Sequence, residues 1–243
     1  MRAPVGTSLI FNSLLGAVAA FGHVVYPLVL ALRTRRLVDP IPPTPLRWPA
    51  ITGVIPAYRE RSVIGWKIEN LRDNGYAGRL EIVVVAEDEP TAAAARAAGV
   101  RVLASGERLG KSAALNLGVA AASGSIVVIT DANNRLAPGA LAALTRWFSD
   151  PDVGAVAGEK RVDDEAEGVY WRFESWLKRH ESRTGHTIGL VGELAAFRRE
   201  AYRPIPAGVM IDDLWIGLDI IAATRRCGST GSAERETSPV STR

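Results

Sequence analysis

Acidic side chains follow apolar segments at three places between residues 51 and 131 of this chain. Glu60 comes after a segment that ends at Pro56, Glu87 and Asp88 follow EIVVVA, and Asp131 follows IVVIT. Because like charges repel, acids that converge need a partner, and a divalent cation or the donors of a sugar and a base would supply one. Each acid could instead cap the helix after it, an alternative of equal weight for any single residue. For the whole set we favour a ligand site.

The segment from Gly106 to Ser112 is similar to a phosphate-binding loop but differs from it in length. Such a loop has four residues between its glycines, and its length sets the curvature that points N–H groups at phosphate. Here three residues separate Gly106 from Gly110, and Glu107 would place a negative charge in the anion cradle. A P-loop is therefore disfavoured. A dinucleotide-binding Rossmann fold also lacks its main support, because no G-x-G-x-x-G follows a predicted strand.

Alternating apolar and amphipathic segments predict the elements that would position these acids. Strands are predicted at Ile51–Ile55, Glu81–Ala86, Arg101–Leu103, Ile126–Thr130 and Val153–Ala157. Helices are predicted at Val63–Leu71, Ala92–Ala98, Lys111–Ala122 and Pro138–Phe148. This order is typical of an α/β fold with right-handed crossovers, a mainly parallel sheet and helices on both faces. Ligands of such folds bind beyond the carboxyl ends of the strands, which is where the acids lie.

Composition and charge exclude several classes of protein. A hydrophobic fraction of 47% is enough for a packed core, so wholesale disorder is excluded, and 243 residues allow one sizeable domain with additional segments. A net charge of +3 with interleaved acids and bases does not indicate a nucleic-acid-binding protein. The single Cys227 excludes an intrachain disulfide and a cysteine-built zinc site, and the three histidines lack the spacing of a helical metal site.

Residues 1–36 are predicted to form a single transmembrane anchor. No charged residue occurs from Val5 to Leu32, and a helix over Leu9–Leu32 would be roughly 36 Å long, enough to cross a hydrocarbon core of about 30 Å. Arginines follow at positions 33, 35 and 36, so the positive-inside rule places the remaining chain in the cytoplasm, at the inner cell membrane. A signal peptide cleaved near Ala17–Ala19 and a buried core helix are the alternatives.

The remaining chain divides by composition into three segments. Residues 37–50 contain five prolines and predict an extended linker, which leads to a domain over residues 51–223. Residues 224–243 contain no aromatic side chain, and Val240 is their one large aliphatic residue. Such a segment buries too little apolar area to offset the entropy of ordering it, so we predict a disordered tail.

Eight short segments carry a resemblance to a known family. The first four are Ile55–Glu60 (IPAYRE), Glu81–Asp88 (EIVVVAED), Gly110–Asn116 (GKSAALN) and Thr130–Asn133 (TDAN). Four more follow, at Tyr170–Glu174, Glu181–Gly185, Ala196–Glu200 and Ile211–Leu214. In this order they resemble the inverting family-2 glycosyltransferases with the GT-A fold, in particular the membrane-associated synthases that extend or decorate polysaccharides and lipid-linked sugars. The similarity covers residues 51–221.

The resemblance implies a pocket for a nucleotide-diphospho-sugar. Residues Pro56, Ala57, Tyr58 and Glu60 would line it, with Tyr58 near the base and Glu60 near the ribose. The acid that contacts the base in this family would be Glu87 or Asp88, and the sequence leaves both open. Lys111 would lie near the pyrophosphate.

The resemblance also implies a metal site and a catalytic base. Asp131 matches the first acid of the family's D-x-D motif, and a Mg²⁺ or Mn²⁺ ion would bind there. Asn133 stands where the second acid is usual, and because an amide brings no charge the cation would be held less tightly. Asp213 matches the catalytic base that takes the proton of the acceptor hydroxyl. Tyr170 and Trp171 would lie near the acceptor or the membrane surface, or simply pack.

The implied activity is transfer of a sugar from a nucleotide-diphospho-sugar, with the family leaning to UDP, to a carbohydrate or lipid-linked acceptor with inversion. It would serve polysaccharide or glycolipid synthesis at the membrane, without nucleic acid. The chain lacks the Q-x-x-R-W motif and the further membrane helices of many processive members, and Asp219 stands where an Arg is common. The alternatives are a truncated, catalytically impaired fragment that binds sugar nucleotides, and a membrane-tethered interaction domain.

Overall fold

The structure is a computed structural model that describes residues 18, 20–37, 42–159, 165–185, 187, 189–223 and 226–229. It divides into two compact units, residues 1–39 and 40–243. The smaller unit contains a π-helical segment, Phe21–Val25, followed by helix α1, Tyr26–Thr34. Residues 9–17 and 19 of the predicted membrane helix lie outside the described residues. Among the residues that are described, no helix has the length and apolar character needed to cross a membrane. The anchor over 1–36 stays a prediction.

The larger unit is built on a sheet of seven strands in the order β3-β2-β1-β4-β6-β5-β7. Their bounds are β1 Ile51–Ala57, β2 Leu80–Ala86, β3 Arg101–Ala104, β4 Ile126–Thr130, β5 Val153–Ala157, β6 Leu194–Arg198 and β7 Arg226–Ser229. Strands β1 to β4 pair in parallel, as do β5 and β7, whereas β6 is antiparallel to both β4 and β5. The predicted α/β fold with a mainly parallel sheet is therefore confirmed, and β6 and β7 are additions to the predicted strands.

Strand β7 corrects the prediction that the segment 224–243 is disordered throughout. Its residues pair in parallel with β5, and the backbone oxygen of Cys227 accepts a hydrogen bond from the N–H of Thr187 at 2.9 Å. The Cys227 side chain is fully buried in an apolar cluster, and this burial raises the pKa of its thiol to about 12. The order of this strand comes from partners distant in sequence, which its own composition does not reveal. Residues 224, 225 and 230–243 lie outside the described residues.

Helices cover both faces of the sheet, as predicted. They are α2 Ile64–Arg72, α3 Glu89–Ala97, α4 Lys111–Ala121, α5 Ala140–Arg146, α6 Glu165–Arg183 and α7 Asp212–Ala222. One buried cluster joins the sheet to α2, α3 and α5, and a second joins the opposite face to α4 and α7. Successive residues of β1 alternate between them, since Val54 belongs to one cluster and Ile55 to the other.

Helix α4 packs very closely on β1, and this contact fixes the position of its first residue, Lys111. A Cβ at Gly118 would lie only 2.3 Å from Cγ1 of Val54, so no larger residue fits without a shift of the helix. Gly110, with φ of 86°, precedes the helix in a conformation that favours glycine. Together the two glycines bring the start of α4 to the carboxyl end of the parallel strands.

The residues predicted as a linker lie partly against the larger unit. Residues 42–50 have no helix or strand, and residues 38–41 lie outside the described residues. The ring of Trp48 contacts that of Tyr76 edge-on, with ring centroids 5.5 Å apart, and the Tyr76 hydroxyl donates to the backbone oxygen of Pro49 at 2.6 Å. The end of the proline-rich segment is thus fixed to the domain just before β1 begins.

Candidate functional site

A cleft of about 250 Å³ opens at the carboxyl ends of β1, β2 and β4. It is lined by Pro56, Ala57, Tyr58, Glu60, Glu87, Arg108, Gly110, Lys111, Asp131, Ala132 and Asn133. Because these strands are parallel neighbours, the residues that follow them meet at one edge of the sheet. The structure therefore brings together eight of the residues predicted from the sequence: Pro56, Ala57, Tyr58, Glu60, Glu87, Lys111, Asp131 and Asn133. Their binding roles stay predictions.

Asp88 does not line the cleft but stabilises the start of helix α3. Its carboxylate accepts hydrogen bonds from the N–H of Thr91 at 2.9 Å, the Thr91 hydroxyl at 2.8 Å and the N–H of Arg59 at 2.6 Å. Burial alone would raise the pKa of Asp88, but these donors lower it below its ordinary value. The capping interpretation thus holds for Asp88. Asp88 thus lies outside the cleft lining, and its binding role stays a prediction.

Glu87 occupies the cleft at the end of β2. Its side chain is only 6% exposed, and its backbone N–H donates to the oxygen of Ala57 at 3.0 Å. Its Oε1 is buried, and no hydrogen-bond partner for it exists in the described part of the chain. A carboxylate oxygen of this kind costs free energy unless a ligand supplies a donor.

Lys111 lies among three carboxylates. Its Nζ is 2.9 Å from Oδ1 of Asp131 and donates to the backbone oxygen of Gly192 at 3.3 Å. Burial alone would lower the pKa of Lys111, but attraction to Asp131, helped by Asp212 and Asp213, raises it above its ordinary value. The lysine therefore carries a firm positive charge at the edge of the cleft.

Helix α7 begins with the acidic pair Asp212 and Asp213. The Oδ1 of Asp213 accepts the N–H of Leu214 at 2.8 Å, and a Cβ at Gly192 would lie 3.1 Å from its Oδ2. Asp213 thus sits against the glycine that binds Lys111, although it does not itself line the cleft.

Asp212 differs from its neighbour in its surroundings. Its Oδ2 is buried without a hydrogen-bond partner among the described residues. Burial raises the pKa of Asp212, Lys111 opposes this, and the charges of Asp213 and Asp131 add to the rise. In the cleft itself, burial and then the charges of Asp131 and Asp88 raise the pKa of Glu60. Negative charge therefore exceeds positive charge around Lys111.

Arg108 is a cleft residue that the sequence did not single out. Its guanidinium carbon lies 4.8 Å from the centroid of the Tyr58 ring, and that of Arg59 lies 5.1 Å from the same centroid. Arg108 belongs to the loop after β3, where Gly106 and Gly110 have φ of 73° and 86°. In the sequence, the signal for Arg108 is a basic residue that lies between two glycines after a predicted strand.

A divalent cation fits this site if a ligand shares its coordination. In the described ranges, no three acidic, histidine or cysteine side chains come close enough together to hold a metal ion alone. Mg²⁺ is commonly held by one or two carboxylates together with the phosphates of a substrate. Asp131 and Asn133 both line the cleft and could offer a carboxylate and an amide oxygen to such an ion.

Comparison with known proteins gives consistent matches. The family model described as Glycosyl transferase family 2 matches residues 52–205. The structure of the mannosyltransferase PcManGT from Pyrobaculum calidifontis, in complex with GDP-Man and Mn²⁺, is 30% identical in sequence with a TM-score of 0.79. The match covers 93% of this chain and 68% of that chain.

Two curated proteins match over smaller shares of the chain. Uncharacterized protein MT1568 of Mycobacterium tuberculosis (strain CDC 1551 / Oshkosh) is 33% identical over 129 residues, which are 51% of this chain and 40% of that protein. An N-acetylglucosaminyltransferase of Mesorhizobium japonicum is 26% identical over 179 residues, which are 66% of this chain and 42% of that protein. The chain thus spans about two fifths of the length of these curated relatives.

Proposed function

The chain belongs to glycosyl transferase family 2, and we propose that it is a glycosyltransferase that moves a sugar from a nucleoside diphosphate to an acceptor hydroxyl with inversion. The observation that carries the proposal is the position of Lys111, which faces Asp131 at the edge of the cleft and the acidic pair that begins α7. The ammonium group of Lys111, placed between separate carboxylates, suits a reaction in which the diphosphate of the donor lies beside the reacting hydroxyl of the acceptor.

The diphosphate of the donor would lie against Lys111. The ammonium offers three donors to phosphate oxygens, and Asp131 with Asn133 would hold a Mg²⁺ or Mn²⁺ ion that shares those oxygens. When bound, such an ion supplies positive charge to the diphosphate as it leaves. The relative PcManGT was solved with GDP-Man and Mn²⁺, which supports a donor and a cation of these classes.

The acceptor hydroxyl would be deprotonated by Asp213. Its oxygen forms the new bond to the anomeric carbon, the bond from that carbon to the diphosphate oxygen breaks, and the proton goes to the carboxylate. Attack from the face opposite the leaving group inverts the anomeric centre in a single displacement. No covalent intermediate with the protein is required.

The acceptor is proposed to be a carbohydrate or a lipid-linked sugar at the inner cell membrane, with the domain in the cytoplasm. The apolar N-terminal segment supports a membrane location. Val169 and Tyr170 of α6 are more than half exposed, at 59% and 57%, and would suit contact with an acceptor or the membrane surface.

The test is a transfer assay on the full chain with purified nucleotide sugars, Mn²⁺ and a panel of oligosaccharide and polyprenyl-linked acceptors. We expect release of nucleoside diphosphate that depends on acceptor, and a product of inverted anomeric configuration by NMR. Donor binding without transfer to any acceptor would favour the impaired sugar-nucleotide-binding protein instead. A chain that binds no nucleotide sugar would overturn the proposal.

A further inference from the structure

The loop that follows β1 contains a residue in a disfavoured backbone conformation. Arg59 has φ of 60°, and no other non-glycine residue in the described part of the chain has a positive φ. For a residue with a side chain, this left-handed conformation is disfavoured by roughly 5- to 30-fold in an equilibrium constant, because the Cβ crowds the backbone. Such a conformation persists only where the surrounding structure holds it in place.

Asp88 contacts this loop from the end of the neighbouring strand β2. Its Oδ2 accepts the N–H of Arg59 at 2.6 Å, and the same oxygen accepts the Thr91 hydroxyl at 2.8 Å. The oxygen of that hydroxyl in turn accepts the N–H of Glu60 at 3.0 Å. Two successive N–H groups of the loop are therefore bound by one carboxylate and one hydroxyl at the start of α3. Hydrogen bonds to a carboxylate are stronger than those between neutral groups, so the contact with Arg59 can offset its disfavoured conformation.

The same loop carries two residues of the cleft. Tyr58 and Glu60 stand on either side of Arg59 and both line the cleft, whereas Asp88 and Thr91 do not. A change of φ at Arg59 would turn the chain before it relative to the chain after it, so the arrangement of the Tyr58 and Glu60 side chains depends on this one angle. Asp88 can therefore influence what the cleft binds without touching it.

We propose that Asp88 is a positioning residue, which together with Thr91 holds Arg59 in its left-handed conformation and so presents Tyr58 and Glu60 to the donor in a fixed arrangement. This rests on the proposed function, because it assumes that the cleft holds a nucleoside diphosphate. It differs from the base contact that the family resemblance left open for Asp88, since Arg59 and Thr91 already occupy both oxygens. If the hold is lost, fewer molecules are competent to bind, and the apparent affinity falls by the same fraction.

Asp88→Ser tests this role by calorimetric titration of the full chain with UDP and with GDP in Mn²⁺. A serine hydroxyl can still cap α3, but it is shorter than the carboxylate and has one oxygen in place of two, so the N–H of Arg59 loses its acceptor. We expect the affinity for the tighter-binding nucleotide to fall on the order of 5- to 30-fold, the factor by which the conformation of Arg59 is disfavoured. Glu89→Gln is the matched control, since it removes the charge of an exposed acid on α3 that is paired with Arg96, and should leave the affinity unchanged.

Substitutions of Arg59 distinguish positioning from direct contact between Asp88 and the nucleotide. Glycine adopts a positive φ as readily as a negative one, whereas alanine does not, and both remove the guanidinium. In the Arg59→Gly background, Asp88→Ser should therefore change the affinity by less than about threefold. In the Arg59→Ala background it should still weaken binding on the order of 5- to 30-fold. An equal loss in the two backgrounds would overturn the proposal, because an acid that contacts the base acts independently of the backbone at residue 59.

Hydrogen exchange of the loop, measured by mass spectrometry without any ligand, separates this inference from the proposed function. Asp88→Ser should speed exchange in the peptide that contains Arg59 and Glu60, and Thr91→Val, which removes the hydroxyl but keeps the shape, should do the same through the N–H of Glu60. Unchanged exchange in both variants would show that Asp88 and Thr91 do not hold the loop, and would leave the transferase proposal intact. If neither UDP nor GDP binds the parent chain in Mn²⁺, the proposed function fails, and the positioning of a donor site fails with it.

Discussion

The Nζ of Lys111 lies 2.9 Å from Oδ1 of Asp131, and this contact joins the first residue of α4 to the end of β4. The same Nζ reaches the backbone oxygen of Gly192, in the segment before β6. A diphosphate that enters the cleft would compete with Asp131 for the lysine. The Asp131 carboxylate would then be available to help hold a divalent cation.

Asp131→Asn tests this exchange. The substitution keeps the size of the side chain but removes its charge, so Mn²⁺-dependent binding of a nucleoside diphosphate should weaken on the order of 10- to 100-fold. Asn133→Asp should act in the opposite direction, because it adds a carboxylate where the chain has an amide. Asp152→Asn, in an exposed turn, serves as the control. Calorimetry with and without Mn²⁺ measures all three, and unchanged metal dependence in Asp131→Asn would refute the assignment.

Glu81 should make stability depend on pH. Its carboxylate accepts the hydroxyls of Thr52 and Ser123, each at 2.7 Å, and the N–H of Ser123 at 2.9 Å, and lies 3.5 Å from Arg101. Burial alone would raise the pKa of Glu81, but hydrogen bonds with Ser123 and Thr52, with the charge of Arg101, lower it to about 2. Its contribution should be complete above its unfolded pKa of about 4.5 and be lost as the pH falls toward about 2.

Urea unfolding of Glu81→Gln measures this contribution. We expect a loss of about 1–2 kcal/mol at pH 7, less than the full pKa shift implies because the site is partly open to water. The difference from the parent should shrink between pH 4.5 and pH 2. Glu69→Gln, at an exposed position of α2, should match the parent throughout. A difference that does not vary with pH would show that the charge of Glu81 is not the cause.

The strands predicted most directly from the sequence, β1, β2 and β4, are runs of large apolar or β-branched residues. Strand β6 (LAAFR) is fully within the sheet but contains small residues, and β7 (RCGS) is short and polar, so neither has a strong local signal. Their order arises from pairing with β4 and β5. Such pairing depends on contacts that are distant in sequence.

The site shows the same division between local pattern and three-dimensional contact. Most of the cleft residues could be predicted from the ends of the strands, because parallel strands present their carboxyl ends together. The choice between Glu87 and Asp88 depended on which side chain turns back to cap α3, and composition does not determine that. The position of Arg108 in the cleft lining could not be predicted from the sequence, because it depends on the path of a loop between two glycines with positive φ.

Lys67 should stabilise the segment that we propose to bind the metal ion. It is fully buried on α2, and its Nζ donates to Oδ1 of Asn134 and, at 3.0 Å, to the backbone oxygen of the same residue. The Thr130 hydroxyl also donates to that Oδ1, at 2.9 Å. Lys67→Met should lower the free energy of unfolding by about 1–3 kcal/mol and weaken Mn²⁺-dependent binding several-fold, since Asn134 follows Asn133 directly.

Asn70→Ala is the matched control for Lys67. It removes the contacts between α2 and Leu136, at 3.0 Å and 2.8 Å, in the same loop but beyond Asn134. It should lower stability by a similar amount while Mn²⁺ binding stays near that of the parent. Equal loss of metal binding in both variants would mean that Lys67 acts only through general stability.

Substitutions in the acidic pair of α7 should distinguish an effect on catalysis from an effect on stability. Asp213→Asn keeps an acceptor for the N–H of Leu214, so the melting temperature and donor affinity should change little. As the general base, Asp213 would contribute roughly 10²–10⁴-fold in rate, or about 3–5 kcal/mol of barrier. Transfer should therefore fall by that factor, measured as product formed at saturating donor and acceptor.

Asp212→Asn should have a different effect. Burial raises the pKa of Asp212; Lys111 opposes this rise, and the charges of Asp213 and Asp131 add to it. The ionised form of Asp212 therefore destabilises the fold at pH values above its unfolded pKa of about 3.9. A neutral amide should therefore raise the melting temperature at pH 7, and this advantage should disappear in acid, where the parent carboxyl is protonated. Asp219→Asn, a substitution on the same helix that loses a 3.5 Å contact with Arg203, controls for a change of helix charge. If transfer survives in Asp213→Asn but is lost in Asp212→Asn while donor affinity is unchanged, the base is Asp212 and not Asp213.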